Sequence, residues 1–223
     1  MKHKLIAIAA IAATAAALPA ATPAQKPPKG DLKLSIAASD GVVKFGHDLV
    51  LTGKLTGGTP QEVSGQSITL QRDAHPYEGK FERAGVVDTN DAGEYGFTLK
   101  PGSNAKYRAV EKGKVQSPEV TVDVRVAVTL AVSDTSPPRG ERVDFTGTVA
   151  PAHDGKKAKV QRRKRGGGWK TLKRTVLADA GDAFSSYSTK VRIRRAGRYR
   201  VRFSPRDGDH RAGNSNVVRI ALD

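Results

Sequence analysis

The sequence predicts an all-β protein that is built from two copies of one antiparallel β-sandwich unit. Apolar and polar residues alternate with a period of two along segments such as 187–194 and 199–203, as they do in strands buried on one face only. Gly, Pro, Asn and Asp residues interrupt these segments at short intervals, as expected between sandwich strands. The chain has 223 residues and no Cys, which excludes disulfide bonds, thiolate nucleophiles and Cys-ligated metal sites.

The N-terminal segment has the pattern of a secretory signal peptide. Two lysines precede an apolar run over residues 5–18, and small residues follow as far as Ala24. A basic, an apolar and a small-residue region in this order is typical of signal peptides, and the run is shorter than the ~20 residues that a transmembrane helix needs. We therefore predict a signal peptide over residues 1–24, a linker over 25–31, and an exported protein without a membrane span.

The rest of the chain contains an internal repeat. Motifs of the first copy recur in the second, and their offsets differ only between elements, where insertions are tolerated. The recurring motifs are Gly46 with Gly53 and Gly140 with Gly147, residues 65–72 and 155–162, Tyr95 with Tyr107 and Tyr187 with Tyr199, and Ser117 and Ser215. A unit of ~95 residues can bury enough surface to fold alone. We therefore predict two β-sandwich domains, over residues 32–124 and 125–223.

These motifs resemble the bacterial immunoglobulin-like repeat that is common in secreted actinobacterial proteins. In the second copy, the resemblance rests on Val160-Gln-Arg-Arg-Lys-Arg-Gly-Gly-Gly-Trp169-Lys-Thr-Leu172, Tyr199-Arg-Val and Ser215. The first copy carries Thr69-Leu-Gln-Arg72 and Tyr107-Arg-Ala, with Pro76, Tyr77 and Phe81 near the place of the Trp. Its Gly93-x-Tyr95-x-Phe97 stretch also resembles the prealbumin-like B repeats of surface adhesins. The resemblance implies two tandem Ig-like sandwiches and leaves the ligand open, since such repeats serve as spacers, adhesion modules and appendages to hydrolases.

Positive charge is concentrated in the second copy. Residues 125–223 carry a net charge of +14, whereas residues 31–124 carry −2. Both copies are predicted to fold alike, so folding does not require this charge. An immunoglobulin-type topology places strands C, F and G in one sheet, which would bring six cationic side chains onto one outer face. They are Lys159, Arg163, Arg198, Arg200, Arg202 and Arg219.

Such a face is suited to binding a polyanion, because Arg makes bidentate contacts with phosphate and carboxylate groups. Candidate partners are a cell-wall phosphate polymer, an acidic polysaccharide and extracellular DNA. A simpler interpretation is that Lys and Arg only cover the surface of this copy. A third hypothesis is a carbohydrate-binding accessory module for a separate hydrolase, in which Trp169 would stack on a sugar ring.

The sequence offers no clear catalytic or metal-binding motif. His47-Asp48 and His153-Asp154 are neighbours in sequence, so a strand would point them to opposite faces, and no Gly-x-Ser-x-Gly elbow exists. We interpret the acidic segments 88–94 and 207–210 as turns rather than calcium loops. We therefore predict a non-catalytic, secreted structural or adhesion protein without cofactor or metal, either free or held non-covalently at the cell wall.

Overall fold

A computed structural model describes residues 31–112 and 114–223 of the chain. The predicted signal peptide and residues 25–30 of the linker lie outside this part. Within it, no helix has the length and the apolar character needed to cross a bilayer. The strands are β1 (Lys33–Leu34), β2 (Ala37–Ala38), β3 (Val42–Lys44), β4 (Leu49–Thr56), β5 (Ser67–Ala74), β6 (Glu82–Asp88), β7 (Glu94–Leu99), β8 (Ala105–Glu111), β9 (Val115–Gln116), β10 (Val120–Arg125), β11 (Ala127–Val128), β12 (Ala131–Val132), β13 (Arg142–Ala150), β14 (Lys157–Arg163), β15 (Trp169–Val176), β16 (Ala178–Asp179), β17 (Ser185–Arg192), β18 (Gly197–Phe203), β19 (Gly213–Asn214) and β20 (Val218–Ile220).

The strands form four sheets, two from each half of the sequence. In the first half the strand orders are β1-β4-β2, with β7 also on β4, and β3-β10-β8-β5-β6, with β9 also on β8. In the second half they are β11-β13-β17-β16, with β12 also on β13, and β15-β14-β18-β19, with β20 also on β18. All neighbours are antiparallel except β3 and β10, which are parallel. The predicted all-β sandwich fold is thus confirmed, while the division into two independent domains stays a prediction.

Each half encloses its own apolar core between its two sheets. In the second half one cluster of buried residues takes side chains from both sheets, and the rings of Phe145 and Tyr199 meet across it with centroids 5.9 Å apart. In the first half two clusters fill the same space. Strand β18 follows the predicted alternation, since it buries Tyr199, Val201 and Phe203 and points the residues between them outward.

The repeated glycines and tyrosines form the same packing contact in each half of the chain. Tyr187 donates a hydrogen bond from its hydroxyl to the Thr129 carbonyl, directly over Gly147. A Cβ at position 147 would lie 2.3 Å from the Thr129 carbonyl oxygen, so only glycine leaves room for this crossing. In the first half the same arrangement is formed by Gly53, Tyr95 and Ser35. The sequence repeat therefore corresponds to a repeated packing contact.

One helical turn, α1 (Pro60–Val63), interrupts the strands between β4 and β5. The sequence analysis predicted only strands in this region. Pro60 stands at the start of the turn, where its missing N–H costs no hydrogen bond, and the Glu62 carboxylate accepts a hydrogen bond of 2.9 Å from the Thr59 N–H. This local capping stabilises a turn that is too short to show an apolar periodicity in the sequence.

Candidate polyanion-binding face

The strand register brings the six predicted cationic residues onto one outer surface, which we call the basic face. Lys159 on β14 lies opposite Arg202 on β18, and Arg198 on β18 lies opposite Arg219 on β20. Arg163 follows on β14, and it lines one depression together with Arg198 and Arg219. Strands β14, β18 and β20 thus have the order that the immunoglobulin-type topology requires of strands C, F and G.

Two depressions on this face are lined mainly by cations. One, of about 290 Å³, is bounded by Lys157, Lys159, Arg174, Arg202, Ser204 and Arg206. The other, of about 320 Å³, is bounded by Arg163, Trp169, Arg198, Val217 and Arg219. Lys159 and Arg163 are four positions apart on an extended strand, a distance of about 13 Å. The two depressions are therefore spaced for an extended chain rather than for one small anion.

Arg200 has a packing role that the other five cations lack. Its guanidinium lies 4.0 Å from the centroid of the Trp169 ring, and its Nε donates a 3.0 Å hydrogen bond to the Gln161 side chain. The first half repeats this stack with Arg108, Phe81 and Gln71. Arg200 therefore belongs to the common architecture, and its guanidinium covers one face of the indole that the carbohydrate hypothesis requires to be open.

At the equivalent positions, the first half carries far less positive charge. The motif offsets align the six cations, in chain order, with Thr69, Asp73, Lys106, Arg108, Val110 and Thr121. If Arg108 is set aside as the stacking residue, four of the other five positions are uncharged or acidic. The strand register at this point is the same in both halves, since Gln71 lies opposite Arg108 as Gln161 lies opposite Arg200. The basic face is thus specific to the second half.

The positive surface extends beyond the six predicted residues. A cleft of about 910 Å³ lies at the end of the second half, next to the hairpin between β14 and β15, and it shares Arg163 and Arg198 with the basic face. Its cationic lining residues are Arg139, Arg162, Arg163, Lys164, Arg165, Lys170, Arg194, Arg195 and Arg198. No acidic residue lines it. The sequence contains the basic segments 162–165 and 192–195, but it does not show that chain folding joins them.

The charges on the basic face are not neutralised by neighbouring acids. Within residues 31–112 and 114–223, none of the six cations has a carboxylate oxygen within 4.0 Å. Burial, together with the positive charges of Arg202 and Arg163, lowers the pKa of the Arg200 guanidinium. Like charges directly opposite each other on neighbouring strands destabilise a sheet. A bound anion would therefore relieve the repulsion between the cations of the basic face.

The acidic segment 88–94 forms a turn, as the sequence indicated. The Asn90 side-chain oxygen accepts hydrogen bonds of 3.0 and 2.8 Å from the backbone N–H groups of Ala92 and Glu94. In segment 207–210, Asp207 Oδ1 similarly accepts bonds of 3.0 Å each from the N–H groups of Asp209 and His210. Both segments are thus organised by side chains that bond their own backbone.

One group of side chains could hold a metal ion, and the sequence analysis did not find it. His153, Asp207 and His210 each offer one ligand atom, and these three atoms lie within 4.8 Å of one another. His153 contacts Asp207 and not its sequence neighbour Asp154, since its Nε2 lies 3.0 Å from Asp207 Oδ2. Only the spacing of Asp207 and His210 is visible in the sequence.

Comparisons with known proteins add no identification: neither the protein-family search nor the search of curated proteins found a match to this chain. The proposals below therefore depend on the residues and geometry described above.

Proposed function

We propose that this chain is a non-catalytic extracellular protein of tandem Ig-like repeats that binds polyanions through its basic face. Export is inferred from the signal-peptide pattern of residues 1–24, and it would place the protein beside anionic polymers of the cell envelope. The ligand class is a linear polymer with phosphate or carboxylate groups, such as a cell-wall phosphate polymer, an acidic polysaccharide or extracellular DNA. The protein would act as a structural or adhesive contact.

The observation that carries this proposal is the difference between two equivalent sheets. The equivalent strand pairs β5 with β8 and β14 with β18 have the same register, and both halves share the stack of Gln, Arg and aromatic ring. Yet the cations Lys159, Arg163, Arg202 and Arg219 of the second half have no cationic counterpart in the first. Since repulsion between opposed cations weakens a sheet, the charge opposes folding where it lies. Selection for contact with an anion accounts for a charge distribution that the fold itself does not need.

The shape of the surface favours a long ligand. The two depressions and the end cleft follow one another along β14 and β18, and Arg163 and Arg198 are shared between the face and the cleft. Several phosphates of one chain could therefore be contacted at once. Each neutralised phosphate releases a counterion, so affinity would fall steeply with salt concentration.

A salt titration with charge variants of the full chain tests the proposal. The face variant R163Q/R198Q/R219Q removes three exposed cations, while the control K33Q/K44Q/K114Q removes three exposed cations from the first half. Binding to a 25-bp DNA duplex and to long-chain polyphosphate is measured by fluorescence anisotropy between about 50 and 200 mM salt. We expect the face variant to bind at least about tenfold more weakly, with a salt slope reduced by about two to three, because each lost phosphate contact removes about 0.9 from the slope.

The control variant has the same net charge as the face variant. It therefore separates the effect of where the cations lie from the effect of the total charge. We expect it to bind within about threefold of the unmodified protein. Equal weakening of both variants would mean that the charge acts only as a diffuse surface property. Salt-insensitive binding to neutral glycans that is lost in Trp169→Ala would instead support the carbohydrate-binding alternative.

A further inference from the structure

The loop that follows β18 carries His210 and Asp207 to the junction between the two halves of the chain. The Asp209 carbonyl accepts a 2.8 Å hydrogen bond from the Asn104 N–H. His210 Nε2 lies 2.8 Å from the Gly102 carbonyl oxygen. Residues far apart in sequence thus meet here, and His153 approaches the same loop from the turn before β14.

The hydrogen bonds of His153 fix which of its ring nitrogens carries the proton. Its Nδ1 lies 2.8 Å from the Pro151 carbonyl oxygen, and a carbonyl can only accept, so Nδ1 is the donor. In a neutral ring Nε2 then has a lone pair and no proton. This lone pair faces Asp207 Oδ2 at 3.0 Å, which is also an acceptor.

The same reasoning applies to the second histidine with the two nitrogens exchanged. His210 Nε2 must donate to the Gly102 carbonyl, so in the neutral ring Nδ1 has the lone pair. This lone pair faces the same oxygen of Asp207 at 3.4 Å. The ordinary pKa of an aspartic acid side chain is about 3.9. The carboxylate therefore has no proton to donate at neutral pH.

When both rings are neutral, three acceptor atoms thus converge, because His153 Nε2 and His210 Nδ1 both face Asp207 Oδ2. The side chains of His153 and His210 are only 9% and 10% exposed, so water cannot fully solvate these atoms. We propose that His153 Nε2, His210 Nδ1 and Asp207 Oδ2 bind a divalent transition-metal ion, with zinc as the expected occupant. The ion would replace three opposed lone pairs with three bonds, and solvent would supply a fourth ligand.

The two distances from Asp207 Oδ2 to the ring nitrogens agree with those of a tetrahedral site. Metal–ligand bonds of about 2.0–2.1 Å at tetrahedral angles place neighbouring ligand atoms roughly 3.3 Å apart, and the structure has 3.0 and 3.4 Å from Asp207 Oδ2 to the two ring nitrogens. Two imidazoles and one carboxylate are ligands for zinc, nickel or copper rather than for calcium or magnesium.

The surroundings also provide the outer contacts that metal-binding histidines require. Each neutral ring donates its one N–H to a backbone carbonyl, which fixes the tautomer and orients the ring. Asp207 is held by its two backbone hydrogen bonds, so that Oδ2 points to the rings. Phe203 packs against His153 with centroids 5.0 Å apart, and Phe45 lies 6.3 Å from His210.

Metal binding would stabilise the junction because His210 joins the two halves. The ion needs the Nδ1 lone pair of His210, and this tautomer is the one that donates from Nε2 to Gly102. Occupancy of the site and the contact across the junction therefore favour each other. The site is thus a metal-dependent clamp, a role separate from anion binding on the basic face.

Metal titration of the full chain without an affinity tag tests this inference. The protein is treated with a chelator, dialysed, and titrated at pH 7.5 with Zn²⁺ by calorimetry and with Co²⁺ by visible absorption. We expect one Zn²⁺ per chain, a Co²⁺ spectrum typical of four-coordinate geometry, and protection of the 204–212 loop from proteolysis upon binding. The variants H153Q/H210Q and D207N should each weaken Zn²⁺ binding by at least about tenfold.

His47→Gln is the matched control, since His47 is exposed and its ring has no hydrogen bond, ion pair or aromatic contact among the described residues. It should bind Zn²⁺ as the unmodified chain does. D207N keeps the size of the side chain, so circular dichroism can separate loss of ligand from loss of fold. No saturable binding below about 100 µM metal, or equal binding by H153Q/H210Q and H47Q, would overturn the inference.

Discussion

Two tyrosines at equivalent positions of the repeat differ in how their hydroxyl groups are satisfied. Tyr107 on β8 and Tyr199 on β18 are both fully buried, and burial raises the pKa of both hydroxyls. Tyr199 donates a 2.5 Å hydrogen bond to the Arg195 carbonyl. Tyr107 has no hydrogen-bond partner within the described part of the chain. A buried hydroxyl without a partner costs free energy, whereas a bonded one does not.

This difference predicts opposite effects of the same substitution. Tyr199→Phe should lower the free energy of unfolding by about 1 kcal/mol, because it leaves the Arg195 carbonyl without its donor. Tyr107→Phe should leave the free energy of unfolding unchanged or raise it by up to about 1 kcal/mol, because it removes an unsatisfied group. Urea denaturation of the two variants checks this. A loss in Tyr107→Phe as large as in Tyr199→Phe would contradict it.

The direction of single side chains could be predicted from the sequence, but their partners could not. Alternation along 198–203 is sufficient to place Arg198, Arg200 and Arg202 outward, because strand geometry leaves only two faces. The stack of Arg200 on Trp169 depends on a register shift between β14 and β15 after Val160. Such a bulge has no signature in one sequence, so the packing role of Arg200 became visible only in three dimensions.

The segment between β11 and β12 passes directly over β13 at Gly147, and this close crossing depends on the glycine. A Cβ there would lie 2.3 Å from the Thr129 carbonyl oxygen and 2.6 Å from the Tyr187 hydroxyl. Neither atom can move aside easily, because one is backbone and the other is held by its hydrogen bond to that carbonyl. The close approach therefore excludes every residue that has a Cβ.

Gly147→Ala should consequently lower the free energy of unfolding by about 1–3 kcal/mol or more, as overpacking in a core does. Gly166 in the β14–β15 hairpin is a suitable control, since an added Cβ there meets nothing within 4 Å and its φ is not positive. Gly166→Ala should be neutral or slightly stabilising. Thermal unfolding of both variants measures the difference. Equal unfolding midpoints would show that β13 can shift to accommodate a Cβ at position 147.

The strands could be predicted from the repeat because the recurring motifs form the same structural contacts in both halves. Ser117 and Ser215 accept hydrogen bonds of 2.9 Å from the Ala109 and Val201 N–H groups, in the same place on the two sandwiches. Features that occur once were not predictable. The turn α1 and the loop 204–212 have no counterpart in the other half, and their conformations depend on caps and on contacts with distant residues.

Asn104 connects the two halves through two hydrogen bonds and forms a third within the first half. Its side-chain Nδ2 donates to the Gly208 carbonyl at 2.7 Å, and its N–H donates to the Asp209 carbonyl at 2.8 Å. Its Oδ1 accepts a 2.6 Å bond from the Val124 N–H. Arg211 adds an ion pair with Asp123. These contacts between the halves join residues 88 or more positions apart, which sequence periodicity cannot reveal. The sequence likewise did not reveal the histidine cluster.

We expect Asn104→Ala to loosen this junction while both sandwiches stay folded. The substitution leaves the Val124 N–H and the Gly208 carbonyl unpaired, at a cost of about 1–3 kcal/mol for each group that stays buried. The backbone hydrogen bonds of Arg211 with Val124 and Val126 and of the Asn104 N–H with the Asp209 carbonyl remain, as does the ion pair of Arg211 with Asp123. Hydrogen exchange should therefore accelerate about 10- to 100-fold at the Arg211 and Val126 amides, because local opening becomes less costly.

Asn216→Ala is the matched control for this prediction, because Asn216 forms two hydrogen bonds with the Leu130 backbone inside the second half. It should reduce the stability of that half by a similar amount without faster exchange at Arg211. If the two variants accelerate Arg211 equally, the junction opens only when the second half unfolds, and the halves behave as one cooperative unit. If only Asn104→Ala accelerates exchange at the Arg211 amide, the junction opens without unfolding of the second half. The division of the sheets into two pairs favours this outcome.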